Sequence, residues 1–185
     1  MILTFAATPH ARDRGEDQDF EQLFLAYYPR LVRILLRLTG NPAQAEELAA
    51  DAFYKFYSRQ SPGFRDSNPA GWLYRTAMNL AFDALRADTR RLRREERTGR
   101  ENLLHENPEN PLNTLLVEER RDRVRAVISQ LKPVQAQALL LGSSGYSPKE
   151  IAALLGLRPD SLYMLIARAK AQFEKKYLRL YGRTQ

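Results

Sequence analysis

The spacing of apolar side chains sets the tightest limit on what this chain can fold into. From Phe20 they fall at Phe20, Leu23, Phe24, Tyr27, Leu31, Ile34, Leu35 and Leu38, the i, i+3, i+4, i+7 stripe of a helix that buries one face. The same period returns with Leu48, Ala52, Phe53 and Phe56, and again with Trp72, Leu73, Ala77, Leu80, Ala84 and Leu85. Strand signals are scarce. The one β-rich run lies at the extreme N-terminus, and no Asn-Gly or Asp-Gly hairpin separates alternating segments. The pattern predicts an all-α chain.

Turn formers and caps divide that pattern into elements. Pro29 interrupts the first stripe, so a kink or a junction between two helices is expected there. Gly40 is a helix stop, after which Asn41 (cap), Pro42 (first helical position) and Gln44 (three residues after the cap) open a helix expected to reach about Tyr57. Turn formers fill 61–67, and Asn68 and Pro69 then open a long helix. Beyond Leu85 the apolar stripe gives way to arginine: residues 86–100 carry seven Arg against three acids, a basic surface rather than a buried one. Residues 98–114 are polar, Asn-rich and broken by Pro108 and Pro111, as a linker would be. Helices resume over Leu116–Leu131 and Val134–Leu141, followed by a tight pair from Ser147 to about Tyr181. The expected organisation is an N-terminal tail (1–18), a helical bundle (19–97), a flexible linker (98–114) and a C-terminal helix-turn-helix domain (115–181).

Composition removes several function classes. A length of 185 residues allows one medium domain or two small ones, and 44% hydrophobic with 28% charged residues is ordinary for a soluble globular chain. The absence of Cys excludes disulfides, thiol catalysis and Cys-based zinc sites. His10 and His105, both in polar surroundings, argue against a His-based metal site or triad. No Gly-rich phosphate loop or nucleophile arrangement stands out, so no enzyme, cofactor or small-molecule substrate is expected. No run of 18 uncharged apolar residues suggests a membrane span, and no basic leader precedes the first apolar residues. A cytoplasmic location is therefore expected. The formal net charge of +7 leans towards polyanion partners.

The final helical pair is the most specific local signal. Ser147-Pro148-Lys149-Glu150 is a capping box, opening a short helix that Gly156 ends. Pro159 starts a second helix carrying Leu162, Leu165 and Ile166. Ala152 allows close approach, Gly156 allows a positive φ in the turn, and Ile151, Leu155, Leu157, Leu162 and Leu165 supply a shared core, as a helix-turn-helix requires. In that motif the N-terminal residues of the second helix meet base edges. The candidates for DNA contact are Lys149, Arg158, Asp160, Ser161, Tyr163, Met164 and Arg168, with Arg158 and Arg168 suited to guanine or phosphate and Tyr163 and Met164 to thymine methyls. Alternatively, Tyr163 and Met164 pack on the preceding helix.

With that hairpin placed, the whole chain resembles a bacterial RNA polymerase sigma factor of the extracytoplasmic-function (ECF) type. The resemblance rests on FEQLFLAYYPRLVRILLRLTG (20–40), AEELAADAFYKFY (45–57), FRDSNPAGWLYRTAMNLAFDALRADTRR (64–91) and 127–176, in the family's order. It implies that the 45–57 helix docks on the clamp coiled coil of the polymerase largest subunit, through Glu46, Glu47, Asp51 and Phe53. It implies that Phe64, Arg65, Asn68, Arg75, Asn79, Arg86, Arg90 and Arg91 capture the unpaired −10 strand, with Asn79 in TAMNLA at the base-edge position. Trp72 is expected in the core. The second domain would contact the polymerase flap and read the −35 element, the linker would run near the RNA exit path, and an anti-sigma factor would restrain the free protein. Tyr163-Met164-Leu165 departs from the family's basic recognition stretch, and 142–145 (GSSG) lacks its Arg and aromatic residues, so −35 readout is expected to differ. Two other readings stay open from the residues alone: a stand-alone helix-turn-helix regulator that binds operator DNA, and a helical adaptor acting through protein contacts.

Overall fold

The computed structural model describes residues 14–59, 67–97 and 111–182. Among them run seven helices: α1 (Arg14–Thr39), α2 (Pro42–Arg59), α3 (Pro69–Arg97), α4 (Pro111–Ile128), α5 (Pro133–Ser143), α6 (Pro148–Leu155) and α7 (Pro159–Tyr181). Six of the seven, α2 to α7, open on a proline in the first turn, where its missing N–H costs nothing and its fixed φ is already helical. The all-α expectation holds throughout the described residues.

Local chemistry explains most of the boundaries. Gly40 ends α1 at φ 72° and Gly156 ends α6 at φ 67°, both in the left-handed region that a Cβ disfavours. Asn41 Oδ1 accepts from the Gln44 amide (3.2 Å), and Asn68 Oδ1 from the Gly71 amide (2.8 Å). Both sides of the Ser147–Glu150 capping box are formed.

Three boundaries differ from expectation. The chain passes Pro29 as one helix rather than two. The carbonyl that Pro29 leaves without an N–H belongs to Leu25, which is 66% exposed, so water can satisfy it. Residues 14–18, expected in the tail, already belong to α1, and Pro111–Thr114, expected in the linker, form the first turn of α4. Residues 98–110 lie outside the described set.

The first bundle, α1–α3, closes over Leu31, Ile34, Leu35, Leu38, Ala45, Ala49, Ala52, Phe56, Leu73, Ala77, Met78 and Phe82. Phe53 belongs to this core and is 2% exposed. Its ring meets Phe24 edge-on at 5.0 Å and Phe20 at 6.1 Å, with Tyr28 at 5.9 Å. Its assignment to polymerase contact is therefore corrected: the i+3/i+4 stripe of α2 turns Phe53 into the core. Trp72 is half-buried against Phe56 (5.5 Å), with the Arg59 guanidinium 5.6 Å from its ring centre.

The second bundle, α4–α7, buries Val127, Leu131, Ala138, Leu141, Ile151, Leu155 and Leu162. The two bundles do not stand apart. α3 packs against both α5 and α6, and the buried apolar residues of the two halves form one continuous cluster.

Candidate nucleic-acid interface

The long helix α3 organises one candidate surface. Counting from Asn68, the residues Arg75, Asn79, Arg86 and Arg90 follow at steps of 7, 4, 7 and 4. At 3.6 residues per turn these steps keep all five in one narrow row along the helix. The row begins with amide and guanidinium groups able to read a base edge and ends in arginines able to hold phosphate. Arg91 lies beside it, 4.0 Å from Asp88. Phe64 and Arg65 fall outside the described residues.

Four of the row, Asn68, Arg75, Asn79 and Arg86, are already engaged by groups of the second bundle. Asn68 Nδ2 donates to the Ala153 carbonyl (2.6 Å) and Arg75 Nη1 to the Leu154 carbonyl (2.8 Å). Asn79 Oδ1 accepts from Gln137 Nε2 (2.9 Å). Arg86 Nε donates to the Ser129 carbonyl (3.1 Å), while its Nη1 pairs with Asp83 (3.0 Å). Beside the row, the Tyr74 and Tyr146 hydroxyls share a hydrogen bond of 2.5 Å. Burial and that bond hold the Tyr74 proton well above the ordinary phenol range.

Residue-type reasoning missed Gln137, Tyr74 and Tyr146. Gln137 is 3% exposed. The available signal was positional: a glutamine on the same helical stripe as Val134, Ala138 and Leu141, within an otherwise apolar helix, needs a buried partner.

The helix-turn-helix presents a different situation. α6 and α7 pack through Ile151, Ala152, Leu155 and Leu162, all buried. Lys149, Arg158, Asp160, Ser161 and Arg168 are exposed. Tyr163 and Met164 are 63% and 56% exposed, so neither packs on the preceding helix. The outer face of α7 thus stands open, and two of its reading positions are apolar. The Glu150 carboxylate is held below its ordinary pKa by hydrogen bonds from the Ser147 hydroxyl and backbone amide, which pins the start of α6.

Glu46, Glu47 and Asp51 lie together on the exposed side of α2, an acidic patch in a basic chain. Among the described residues no group of His, Cys, Asp or Glu could hold a metal ion, and no helix is long and apolar enough to cross a membrane.

A helical bundle with an Asn/Arg row, followed by a helix-turn-helix with an open second helix, defines a two-module nucleic-acid-binding protein. Comparison with known proteins narrows the class. Residues 23–91 match the model for sigma-70 region 2, and residues 121–173 the model for sigma-70 region 4. The chain is 29% identical over 170 residues to the RNA polymerase sigma-H factor of Pseudomonas aeruginosa, covering 88% of each chain. It is 30% identical over 168 residues to the RNA polymerase sigma factor CarQ of Myxococcus xanthus, covering 89% of this chain and 90% of that one. Among solved structures it is similar to the sigma factor RpoE in complex with the anti-sigma factor NepR from Bartonella quintana, at 22% identity and TM-score 0.49, covering 89% and 99% of the two chains. This chain belongs to the ECF-type sigma factors of RNA polymerase. The stand-alone regulator and the adaptor are not favoured, and the family consists of initiation factors rather than enzymes.

Proposed function

We propose that the two modules divide promoter recognition between them. The row Asn68, Arg75, Asn79, Arg86 and Arg90 takes the melted −10 strand, with Asn79 reading a base edge and the arginines holding phosphates. The outer face of α7, with Arg158, Asp160, Ser161, Tyr163, Met164 and Arg168 and aided by Lys149 on α6, reads the −35 duplex. Apolar Tyr163 and Met164 favour thymine methyls there over phosphate grip. Glu46, Glu47 and Asp51 dock on the clamp coiled coil of the largest polymerase subunit, and the second module meets the flap. Tethering lets each DNA contact be weak alone, since binding one element raises the local concentration of the other. An anti-sigma protein restraining the free chain, and action in the cytoplasm, complete this reading.

The observation that carries it is the single row on α3, in which base-reading amides and phosphate-holding arginines share one helix face. The test is reconstitution with core RNA polymerase and genome-wide mapping of transcript starts. Discrete starts sharing −10 and −35 elements are expected. Starts with no common upstream sequence would overturn the proposal.

A further inference from the structure

We infer that the cleft between the later part of α3, the turn joining α4 to α5 and the end of α7 is a binding site for a small oligophosphate, held by its phosphates and not by any base attached to them. The cleft has a volume of about 590 Å³, within the roughly 300–1,000 Å³ of small-molecule sites.

Its lining is strongly basic. Arg86 and Arg90 come from α3, and Lys176 and Arg179 from α7, while no described lining residue is an acid. Arg86 has an ion pair, to Asp83 at 3.0 Å. Among the described residues, Arg90, Lys176 and Arg179 have none. Four cations drawn to one cleft repel one another unless an anion sits between them. Leu131, 4% exposed, and Leu180 add apolar wall, which focuses the positive field on the space between.

The charge count selects the ligand. A phosphate group carries about −1.5 to −2 at pH 7, so a single phosphate leaves the cleft positive, whereas two or three in a chain balance it. Arg86 is aimed in advance. Its Nε donates to the Ser129 carbonyl (3.1 Å) and its Nη1 to Asp83 (3.0 Å). These bonds use two of the five N–H donors of a guanidinium and leave the rest for phosphate oxygens. Lys176 and Arg179 stand three residues apart on one side of α7 and approach from the other wall. No described lining residue is aromatic, so nothing there stacks on a nucleobase.

A nucleic-acid backbone is the other source of the same chemistry. Arg86 and Arg90 stand in the row proposed for the −10 strand, but Lys176 and Arg179 belong to no DNA surface proposed above. Lys176 comes 18 residues after Arg158, about 27 Å of helix rise from the start of the −35 face. Cations of α7 placed opposite those of α3 mark a compact anion that touches both walls.

Calorimetric titration of the full chain with sodium tripolyphosphate, without polymerase or DNA, tests the site. One binding event is expected, much tighter than for inorganic phosphate, with a melting temperature that climbs with ligand concentration by mass action. Nucleoside triphosphates should bind comparably whatever their base. Lys176→Gln with Arg179→Gln should weaken binding about tenfold for each charge removed. Lys170→Gln with Lys175→Gln removes the same charge from exposed positions of α7 outside the cleft and should leave affinity within about twofold. Glutamine matches lysine and arginine in helix propensity, so both variants keep α7, and their melting without ligand checks it. Tripolyphosphate binding no tighter than phosphate, or equal losses in the two double variants, overturns the inference. So does a short oligo(dT) whose binding depends on Lys176 and Arg179 while tripolyphosphate does not bind, which gives the cleft to a nucleic-acid backbone. None of these outcomes depends on the −10 assignment.

Discussion

Replacing Phe53 with Ala separates a core role from a docking role for the one aromatic residue that the family resemblance placed at the polymerase. Phe53 is 2% exposed and its ring touches Phe20, Phe24 and Tyr28. Truncating such a ring removes its transfer free energy and leaves a cavity that helices can only partly close, at a cost of about 3–5 kcal/mol. Against a typical stability of about 5–15 kcal/mol, that is a large share. For a chain of this size it should lower the melting temperature by roughly 6–20 °C. Thermal and urea unfolding followed by helical circular dichroism measure it. Glu47→Lys with Asp51→Lys, on the exposed side of the same helix, is the control and should move the midpoint little. A loss below about 1 kcal/mol in Phe53→Ala, together with lost affinity for core polymerase, would refute the burial argument and restore the docking role.

Four further outcomes are expected. Asn79→Ala should lower promoter-dependent transcription while core-polymerase affinity stays near wild type; a fall in core affinity would count against a DNA-reading role. Glu47→Lys with Asp51→Lys should weaken core binding in a pull-down or fluorescence titration, and an unchanged affinity would leave the acidic patch as a solvated surface. The third concerns pH. The carboxyl of Glu150 is held below its ordinary value near 4.5. A depressed carboxylate pKa contributes stability above the unfolded value and loses it as pH falls through the folded one. The start of α6 should therefore fray at acid pH below about 4.5, with amide exchange at Ile151 rising more steeply in the wild type than in Glu150→Gln. Parallel behaviour of the two proteins would remove Glu150 as the cause. Ser147→Ala should cost about 1 kcal/mol at neutral pH through the same cap.

The legible part of this protein lies in signals only a few residues long. The apolar stripes of α1, α2 and α3, the Asn-Pro starts of α2 and α3, the Ser147–Glu150 box and the Gly156 turn are all local, and each appears where its spacing places it. The departures are local as well, but decided by environment. Pro29 kinks or divides a helix in an isolated reading, whereas here α1 runs through it, and the carbonyl left without an N–H belongs to exposed Leu25. Phe53 follows an acidic stretch in sequence, yet packing against Phe20, Phe24 and Tyr28 of α1 takes its ring into the core.

The sequence by itself determined an all-helical chain, a helix-turn-helix at its end, and the residue types able to touch DNA. Periodicity, capping and turn chemistry act over one or two turns, so those properties follow from neighbours along the chain. Only the tertiary structure decided that Asn68, Arg75 and Asn79 meet Ala153, Leu154 and Gln137, partners 85, 79 and 58 residues away. No local rule pairs an amide with a carbonyl across such a distance. The pairing follows from two apolar cores joining along α3 and α6, which leaves every polar group at that junction in need of a partner from the other side.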